Sequence, residues 1–142
     1  MELENCTNFL LAKTQQFVNH FFKSELEPFG VTPGQFAVLR CLWDENGQTV
    51  KNLAERLMLD SSTMTSVLDR LEQKKLIKRK PDSQDRRAIK VIITKRGREL
   101  EGPMTDAVAK ANEKAVAFVG GDTVEKLKRL LSEIKQSEFS NV

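Results

Sequence analysis

The spacing of the apolar residues changes from helical to alternating directly after Leu76. Before that point, four apolar residues recur at intervals of three and four, at Met64, Val67, Leu68 and Leu71. This spacing predicts a helix with one apolar face. After it, residues 77–80 and 89–94 alternate as short strands do, and "PDSQDRR" between them is rich in turn-forming residues. The order therefore predicts a helix followed directly by a β-hairpin.

A shorter helix precedes this one, and the pair predicts a helix-turn-helix. Thr49 can cap the first helix, and Asp60 or Ser61 can cap the second. We expect the helix over 61–74 to enter a DNA major groove, because small hydroxyl side chains allow close approach and bond to bases or phosphates. The expected contacts are Ser61, Ser62, Thr63, Thr65 and Ser66, with Arg70 on the DNA backbone. The alternative is that these residues are only caps and solvated surface.

The tip of the hairpin carries Asp85, Arg86 and Arg87. We expect Arg87 to reach into an adjacent minor groove, where a narrow A·T-rich tract attracts arginine. Asp85 would orient Arg87 or Arg70 through a charge-assisted hydrogen bond, and Arg86 would contact phosphate. Further phosphate candidates are Lys51, Lys78, Arg79, Lys80 and Lys90. The alternative is a floppy charged loop flanked by solvated lysines.

The distribution of charge supports contact with a polyanion. Residues 49–98 hold 14 Lys and Arg against 6 Asp and Glu, a net of +8, whereas the remaining residues hold 9 against 14, a net of −5, which together give the +3 of the whole chain. A basic middle between acidic ends indicates one lobe that meets nucleic acid and another that does not.

The remaining segments are predicted to be helical. Residues 4–27 carry an apolar stripe too broad for a helix that packs on one side only, and a helix capped by Thr32 follows. Residues 95–119 should kink or break at Gly102-Pro103. A last helix over 123–137 is expected to point five apolar residues inward, at Val124, Leu127, Leu130, Leu131 and Ile134.

The sequence argues against several other classes of protein. The N-terminus begins acidic and no apolar run approaches the length of a membrane span, so we expect a cytoplasmic protein with no membrane partner. One histidine and two separated cysteines do not make a metal site, and there is no phosphate-binding glycine loop or catalytic triad. We therefore expect neither an enzyme nor a cofactor.

These residues resemble the multiple antibiotic resistance regulator (MarR) family of winged-helix transcription regulators over nearly the whole chain. "DRRAIKVIIT" looks like the family's wing pattern D-x-R-x-x-x-V-x-I/L-T, which Asp85, Arg87, Val91, Ile93 and Thr94 match. "LDRLEQKKLIKR" is similar to the segment L-x-R-L-E-x-x-G-L-I-x-R. Lys75 stands where the family usually has a left-handed glycine, which leaves the local cap geometry open.

The resemblance implies a mainly α fold with a small β-hairpin, formed by a winged helix-turn-helix lobe and a helical dimerisation lobe. It places one MarR-like domain over 1–142, with DNA binding in 31–94 and dimerisation in 1–30 and 95–142. It also implies a homodimer on a pseudo-palindromic DNA operator, usually as a repressor. The broad apolar face of the first helix independently indicates that a second chain covers it. Two-fold symmetry would then place the two helices that enter the major groove, one from each chain, roughly 34 Å apart.

The sequence gives less information about the signal that would regulate DNA binding. Similar proteins bind small aromatic or phenolic anions between the two lobes, and the residues that could line such a cleft are Phe9, Phe17, His20, Phe36, Arg40 and Trp43. Ordinary core or interface is the alternative reading for each. Peroxide-sensing relatives use a cysteine supported by tyrosines, but this chain has no tyrosine, and Cys6 lies two residues before the matching position at Asn8. A redox sensor and a winged-helix protein-interaction module remain the alternative functions.

Overall fold

The structure is a computed structural model that describes residues 1–134. Its helices are α1 (Thr7–Leu26), α2 (Pro33–Asp44), α3 (Val50–Leu57), α4 (Ser61–Gln73), α5 (Lys95–Glu99), α6 (Glu101–Val119) and α7 (Gly121–Glu133). Strands β1 (Ile77–Pro81) and β2 (Ile89–Ile93) form one antiparallel hairpin. The expected fold, mainly α with a small β-hairpin, is confirmed.

Threonine side chains begin three of these helices, as the sequence predicts. Thr32 and Gln35 form a reciprocal capping box at the start of α2, with both hydrogen bonds at 3.2 Å. Thr49 accepts a hydrogen bond from the Asn52 N–H at the start of α3, and Thr94 accepts one from the Gly97 N–H at the start of α5. Local side-chain chemistry therefore sets these boundaries before any packing is considered.

The helix-turn-helix and the hairpin share one hydrophobic core. Its fully buried residues include Leu39, Leu42, Leu53, Met64, Leu68 and Val91, from α2, α3, α4 and β2, and others come from α1, β1 and α6. The apolar face predicted for α4 is the face that lies in this core, although Val67 is only partly buried. The opposite face of α4 is thereby turned to solvent.

The first helix packs along α6 to form a second layer. Ala107, Ala111 and Ala115 are buried on α6, and these small residues let the two helix backbones approach closely. Phe17 on α1 stacks on Phe118 of α6 with ring centroids 4.5 Å apart, and the Lys114 ammonium meets the Glu25 carboxylate at 2.8 Å.

Two predicted boundaries lie elsewhere in the structure. A separate 3-10 turn, Leu3–Asn5, precedes α1, so the long helix begins at Thr7 rather than at residue 4. The expected break at Gly102-Pro103 occurs at Leu100 instead, and Pro103 is the third residue of α6. Proline is tolerated there because the N–H groups of a first helical turn lack a partner within the helix.

The expected inward orientation of the last helix is wrong within a single chain. Of the residues predicted to face inward, Leu127, Leu130, Leu131 and Ile134 are 44–59% exposed. The helix spans Gly121–Glu133, and residues 135–137 of the predicted helix lie outside the described part of the chain. Within residues 1–134, none of the helices combines the length and apolar character required to cross a membrane.

Candidate nucleic-acid interface

Helix α4 is held at both ends. Asp60 is its N-cap, and the carboxylate accepts hydrogen bonds from the Thr63 N–H at 2.7 Å and the Ser62 hydroxyl at 2.9 Å. The bond from the Thr63 backbone, followed by that from Ser62, lowers the pKa of Asp60 below its ordinary value. At the other end, Leu76 N–H bonds to Leu71 O and Lys75 N–H to Glu72 O, which is the Schellman arrangement.

Lys75 adopts the left-handed conformation, with φ of 62°. The departure from the family pattern therefore does not change the cap geometry, because lysine takes the backbone conformation that glycine usually fills. A non-glycine residue in this region costs about 1–2 kcal/mol.

The hydroxyl residues of α4 all lie exposed, as the sequence predicts: Ser61, Ser62, Thr63, Thr65 and Ser66. Two of the hydroxyls already donate within the helix region, since Ser62 bonds to Asp60 and Thr65 bonds to Ser61 O. Ser62, Ser66 and Arg70 lie four residues apart and form one line along the exposed face. This face combines hydrogen-bonding groups with a cation that has no carboxylate partner in residues 1–134.

The hairpin is fixed to the domain on both sides of β2. Its partner on one side is β1, in the register Ile77 to Ile93, and on the other side Val91 N–H bonds to Gln48 O at 2.9 Å. Val91 and Ile93 are buried and anchor the strand in the core, whereas Ile89, which shares their face, is 47% exposed near the tip. The base of this β1–β2 hairpin, which is the wing, is therefore held in place by the rest of the domain.

Gly97 locks the base of the wing onto α5. A β-carbon at Gly97 would lie 2.5 Å from Leu76 O and 2.7 Å from Ile93 Cγ1, so only glycine fits without a shift. The Trp43 indole N–H donates to Gly97 O at 3.0 Å, and the Thr94 hydroxyl donates to Lys75 O at 2.8 Å. These contacts tie the end of α4, the wing and α5 to α2.

The tip of the wing is built from two successive turns in which aspartate side chains bond to the backbone. Asp82 Oδ1 accepts from Gln84 N–H, and Asp85 Oδ1 accepts from Arg87 N–H, each at 3.0 Å. Asp82 N–H and Ala88 O close the loop at 2.9 Å. The expectation that Asp85 holds an arginine side chain needs correction, because its carboxylate positions the backbone of Arg87 and bonds to neither guanidinium.

The cations around the wing divide into paired and unpaired groups. The Arg79 guanidinium bonds to Asp69 at 2.6 Å and to Glu72 at 2.7 Å, and the bond to Asp69 raises the pKa of Arg79 above its ordinary value. Arg79 therefore fastens β1 to α4 and is a positioning residue rather than a phosphate candidate. Lys90 lies 3.9 Å from Asp82. The exposed candidates without a carboxylate partner in the described chain are Lys51, Lys78, Lys80, Arg86 and Arg87.

The six residues suggested for an effector cleft do not come together in the single chain. Phe17 stacks on Phe118, and Phe36 and Trp43 contact each other edge to face at 5.9 Å. Phe9 lies 5.8 Å from the Lys13 amine, and Arg40 pairs with Asp44. His20 lines a groove that has a volume of about 420 Å³ and includes Lys23, Glu27 and Thr32.

The two cysteines differ in environment. Cys41 is buried, and burial raises the pKa of its thiol, so it is the inert thiol that the sequence suggests. Cys6 is partly exposed and precedes the first residue of α1.

Two residues that support the site could not be identified from the sequence. The buried side chain of Gln48 donates to Cys41 O and Glu45 O, both at 2.8 Å, and so caps the end of α2 beside the wing. Lys74 donates to Gly30 O and, at 2.6 Å, to Gln35 Oε1, which ties the end of α4 to the turn before α2. No periodic signal marks either residue, because each contact depends on where the fold places a backbone carbonyl.

The comparison with known proteins decides the family. The MarR family model matches residues 31–89, from the turn before α2 to the wing. The organic hydroperoxide resistance transcriptional regulator of Bacillus subtilis is 36% identical over 106 residues, which are 75% of this chain and 72% of that protein. The chain belongs to the MarR family.

Other MarR-type proteins agree over a larger share of the chain. The HTH-type transcriptional regulator MgrA of Staphylococcus aureus is 31% identical over 89% of this chain and 85% of its own. A probable transcriptional regulator from Pseudomonas aeruginosa superposes with a TM-score of 0.81 at 27% identity, covering 92% of this chain and 98% of that one.

Two further solved structures carry partners. Reduced AbfR bound to DNA has a TM-score of 0.70 at 30% identity, covering 93% and 96% of the two chains. PcaV from Streptomyces coelicolor, in complex with its natural ligand, has a TM-score of 0.79 at 25% identity, covering 93% of each chain. The present MarR protein is a winged-helix, DNA-binding regulator of transcription, and its family membership confirms the expectation that it is not an enzyme.

Proposed function

We propose that this MarR protein binds a pseudo-palindromic operator as a homodimer, represses nearby genes and is released from DNA by a small aromatic or phenolic anion. The observation that carries the proposal is the joint exposure of the α4 hydroxyl row and of a wing whose two tip arginines have no carboxylate partner within residues 1–134. Helix α4 would lie in the major groove, with Arg70 on the DNA backbone, and Arg87 would enter the adjacent minor groove.

The dimer part of the proposal rests on apolar residues that a single chain leaves exposed. They lie at the two ends of the chain, on or beside α1 and from the end of α6 onward: Leu3, Leu10, Leu11, Phe17, Phe118, Leu127, Leu130, Leu131 and Ile134. Large apolar side chains that a single chain leaves exposed together mark a protein interface. A second copy of the chain would cover it with the same residues, as two-fold symmetry requires.

Replacing Leu130 and Leu131 by serine tests the dimer. We expect the parent to elute as a dimer in size-exclusion chromatography with light scattering, and the double variant to shift toward monomer. The control is Ile89→Ser, which removes an exposed apolar side chain near the tip of the wing, outside this set of residues. A parent that stays monomeric at micromolar concentration would contradict the proposed assembly.

The operator is the first requirement for testing DNA recognition. Selecting bound fragments from the protein's own genome supplies it, and fluorescence anisotropy then measures affinity. Thr63→Val removes a hydroxyl from α4 with little change in shape, and should weaken operator binding by roughly 1–3 kcal/mol per lost base contact. Thr105→Val, on the exposed face of α6, is the matched control and should bind as the parent does.

Effector release is tested with a panel of phenols and aromatic carboxylates added to the protein–operator complex. PcaV was solved with its natural ligand, which supports a small-molecule response in this chain. We expect at least one compound to lower operator affinity, and His20→Gln to change its potency because His20 lines the groove at the end of α1. If no compound changes the affinity, the effector part of the proposal fails and the DNA part stands.

The relatives also favour a second candidate, a cysteine-based redox regulator of the same fold. One relative is named as a transcriptional regulator of organic hydroperoxide resistance, and Cys6 is partly exposed just before the start of α1. A hydroperoxide would transfer one oxygen to the Cys6 thiolate, giving a sulfenic acid and the corresponding alcohol. Peroxide should then release the operator from the parent but not from Cys6→Ser. Equal release from both proteins would remove this candidate.

A further inference from the structure

Two hydroxyl groups on the exposed face of α4 have already used their only proton. The Ser62 hydroxyl bonds to the Asp60 carboxylate at 2.9 Å, and the Thr65 hydroxyl bonds to Ser61 O at 2.8 Å. A carboxylate and a carbonyl oxygen can only accept a hydrogen bond, so the hydroxyl is the donor in both contacts. Each hydroxyl oxygen therefore has lone pairs to offer to a further partner, but no proton.

The bond from Ser62 to Asp60 is the harder of the two to exchange. The backbone N–H of Thr63, followed by the Ser62 hydroxyl, lowers the pKa of Asp60 below its ordinary value, so the carboxylate is ionised near neutral pH. A hydrogen bond to an ionised group is roughly twice as strong as one between neutral groups. Turning the Ser62 proton toward DNA would give up this bond, which favours Ser62 as an acceptor.

The N-terminal end of this face is unsuited to phosphate. Ser62 lies beside the Asp60 carboxylate, and both groups present lone pairs, which phosphate oxygens repel. Arg70 lies on the same exposed line, roughly 12 Å further along the helix. The face therefore carries acceptors at one end and a cation toward the other, which suits base edges and DNA backbone respectively.

The bases offer an acceptor only one kind of partner in the major groove. Guanine presents N7 and O6, and thymine presents O4, all of which are acceptors themselves. Adenine and cytosine each present one exocyclic amino group, at N6 and at N4, and these amino groups are the donors of the groove. An oxygen without a proton to give can therefore pair with adenine or cytosine, but not with guanine or thymine.

We propose that Ser62 and Thr65 are specificity-determining residues that each accept a hydrogen bond from an exocyclic amino group, adenine N6 or cytosine N4, in the major groove. This inference rests on the proposed function, because it takes α4 to lie in that groove. It goes further by assigning the direction of the bond, in which the base donates and the protein accepts. Guanine or thymine at the same position would place one acceptor against another.

The test removes single amino groups from the selected operator. Each adenine is replaced in turn by purine, and each cytosine by 2-pyrimidinone, at symmetry-related positions of both operator halves. Fluorescence anisotropy at fixed salt should show a loss of affinity of about fivefold or more where Ser62 or Thr65 accepts from the amino group. The base whose replacement has this effect identifies adenine or cytosine as the donor.

Variants of α4 assign the contacts. At the position that Ser62 reads, amino removal should weaken Ser62→Ala by less than about twofold, and Thr65→Val should lose its sensitivity in the same way at a second position. Ser66→Ala is the matched control, since it removes the same hydroxyl from the same exposed line and should keep both sensitivities. Comparing two operators within one variant cancels the altered base pairing, and thermal melting establishes that each variant is folded.

The opposite direction of the bond is tested with 7-deazaadenine and 7-deazaguanine, which lack the N7 acceptor and keep the other groups. The proposal is overturned if Ser62→Ala removes a sensitivity to these bases, because the hydroxyl would then be a donor. It is also overturned if neither Ser62→Ala nor Thr65→Val removes a sensitivity to amino loss. In both cases the parent still binds its operator and the proposed function stands, whereas a parent without sequence-specific binding would remove both.

Discussion

The wing tip offers the sharpest test of the proposal that Arg87 enters DNA. Asp85 Oδ1 accepts a hydrogen bond from the Arg87 N–H at 3.0 Å, and its own carbonyl accepts from Ala88 N–H at 3.0 Å. Replacing Asp85 by alanine removes the first bond and frees the backbone of Arg87. Asparagine keeps an oxygen at the same place and removes only the charge, so the two variants separate turn geometry from electrostatics.

The expected size of the effect follows from the bond that is lost. An exposed hydrogen bond of this type contributes about 0.5–1 kcal/mol, and a dimer on its operator would lose two, so Asp85→Ala should weaken binding by about 5- to 30-fold. Asp85→Asn should bind as tightly as the parent or more tightly, because a negative charge near phosphate is removed. Fluorescence anisotropy at fixed salt measures both, and Asp106→Ala, which removes an exposed carboxylate from α6, is the control.

Two results would refute this reasoning about the wing. If Asp85→Asn weakens binding as much as Asp85→Ala does, the charge of Asp85 matters and its pairing with an arginine side chain is restored as the explanation. If Asp85→Ala binds as the parent does, the turn does not position Arg87 for DNA.

Three further predictions concern the supports of the site. Lys75→Gly should raise the free energy of unfolding by roughly 1 kcal/mol, because glycine accepts the left-handed backbone without strain; a lower stability in urea would contradict this. Gly97→Ala should lower the free energy of unfolding by about 1–3 kcal/mol, because the added carbon would lie 2.5 Å from Leu76 O and 2.7 Å from Ile93 Cγ1. An unchanged thermal melt would show that the base of the wing can shift without loss of stability. The lowered pKa of Asp60 means that its cap stabilises α4 fully above the ordinary value of 3.8 and is lost as pH falls through the lower folded pKa, so Asp60→Asn should flatten the acid limb of the stability curve below that ordinary value.

Local features of this fold could be predicted from sequence because local chemistry decides them. The threonine caps of α2, α3 and α5 need only a side-chain oxygen and an N–H three residues away. The apolar face of α4 and the alternation of β2 follow from the geometry of helix and strand, since both elements bury one side.

Features that depend on distant partners could not be predicted in the same way. Lys74 meets a carbonyl 44 residues away, and Arg79 joins β1 to two carboxylates of α4, so the sequence shows only a basic run around "KKLIKRK". The inward orientation expected for Leu127, Leu130 and Leu131 failed because helical spacing identifies an apolar face but not the molecule that covers it.

The dependence of operator affinity on salt tests the central claim, that this face of the protein neutralises DNA phosphates, most directly. Five exposed cations without a carboxylate partner in the described chain lie on or beside α4 and the wing, at Lys51, Arg70, Lys78, Lys80 and Arg86. If all of them contact phosphate in a dimer, the plot of log affinity against log salt should have a slope of roughly −9, and roughly −4 if only two in each chain do. A slope near zero on the selected operator would contradict the account.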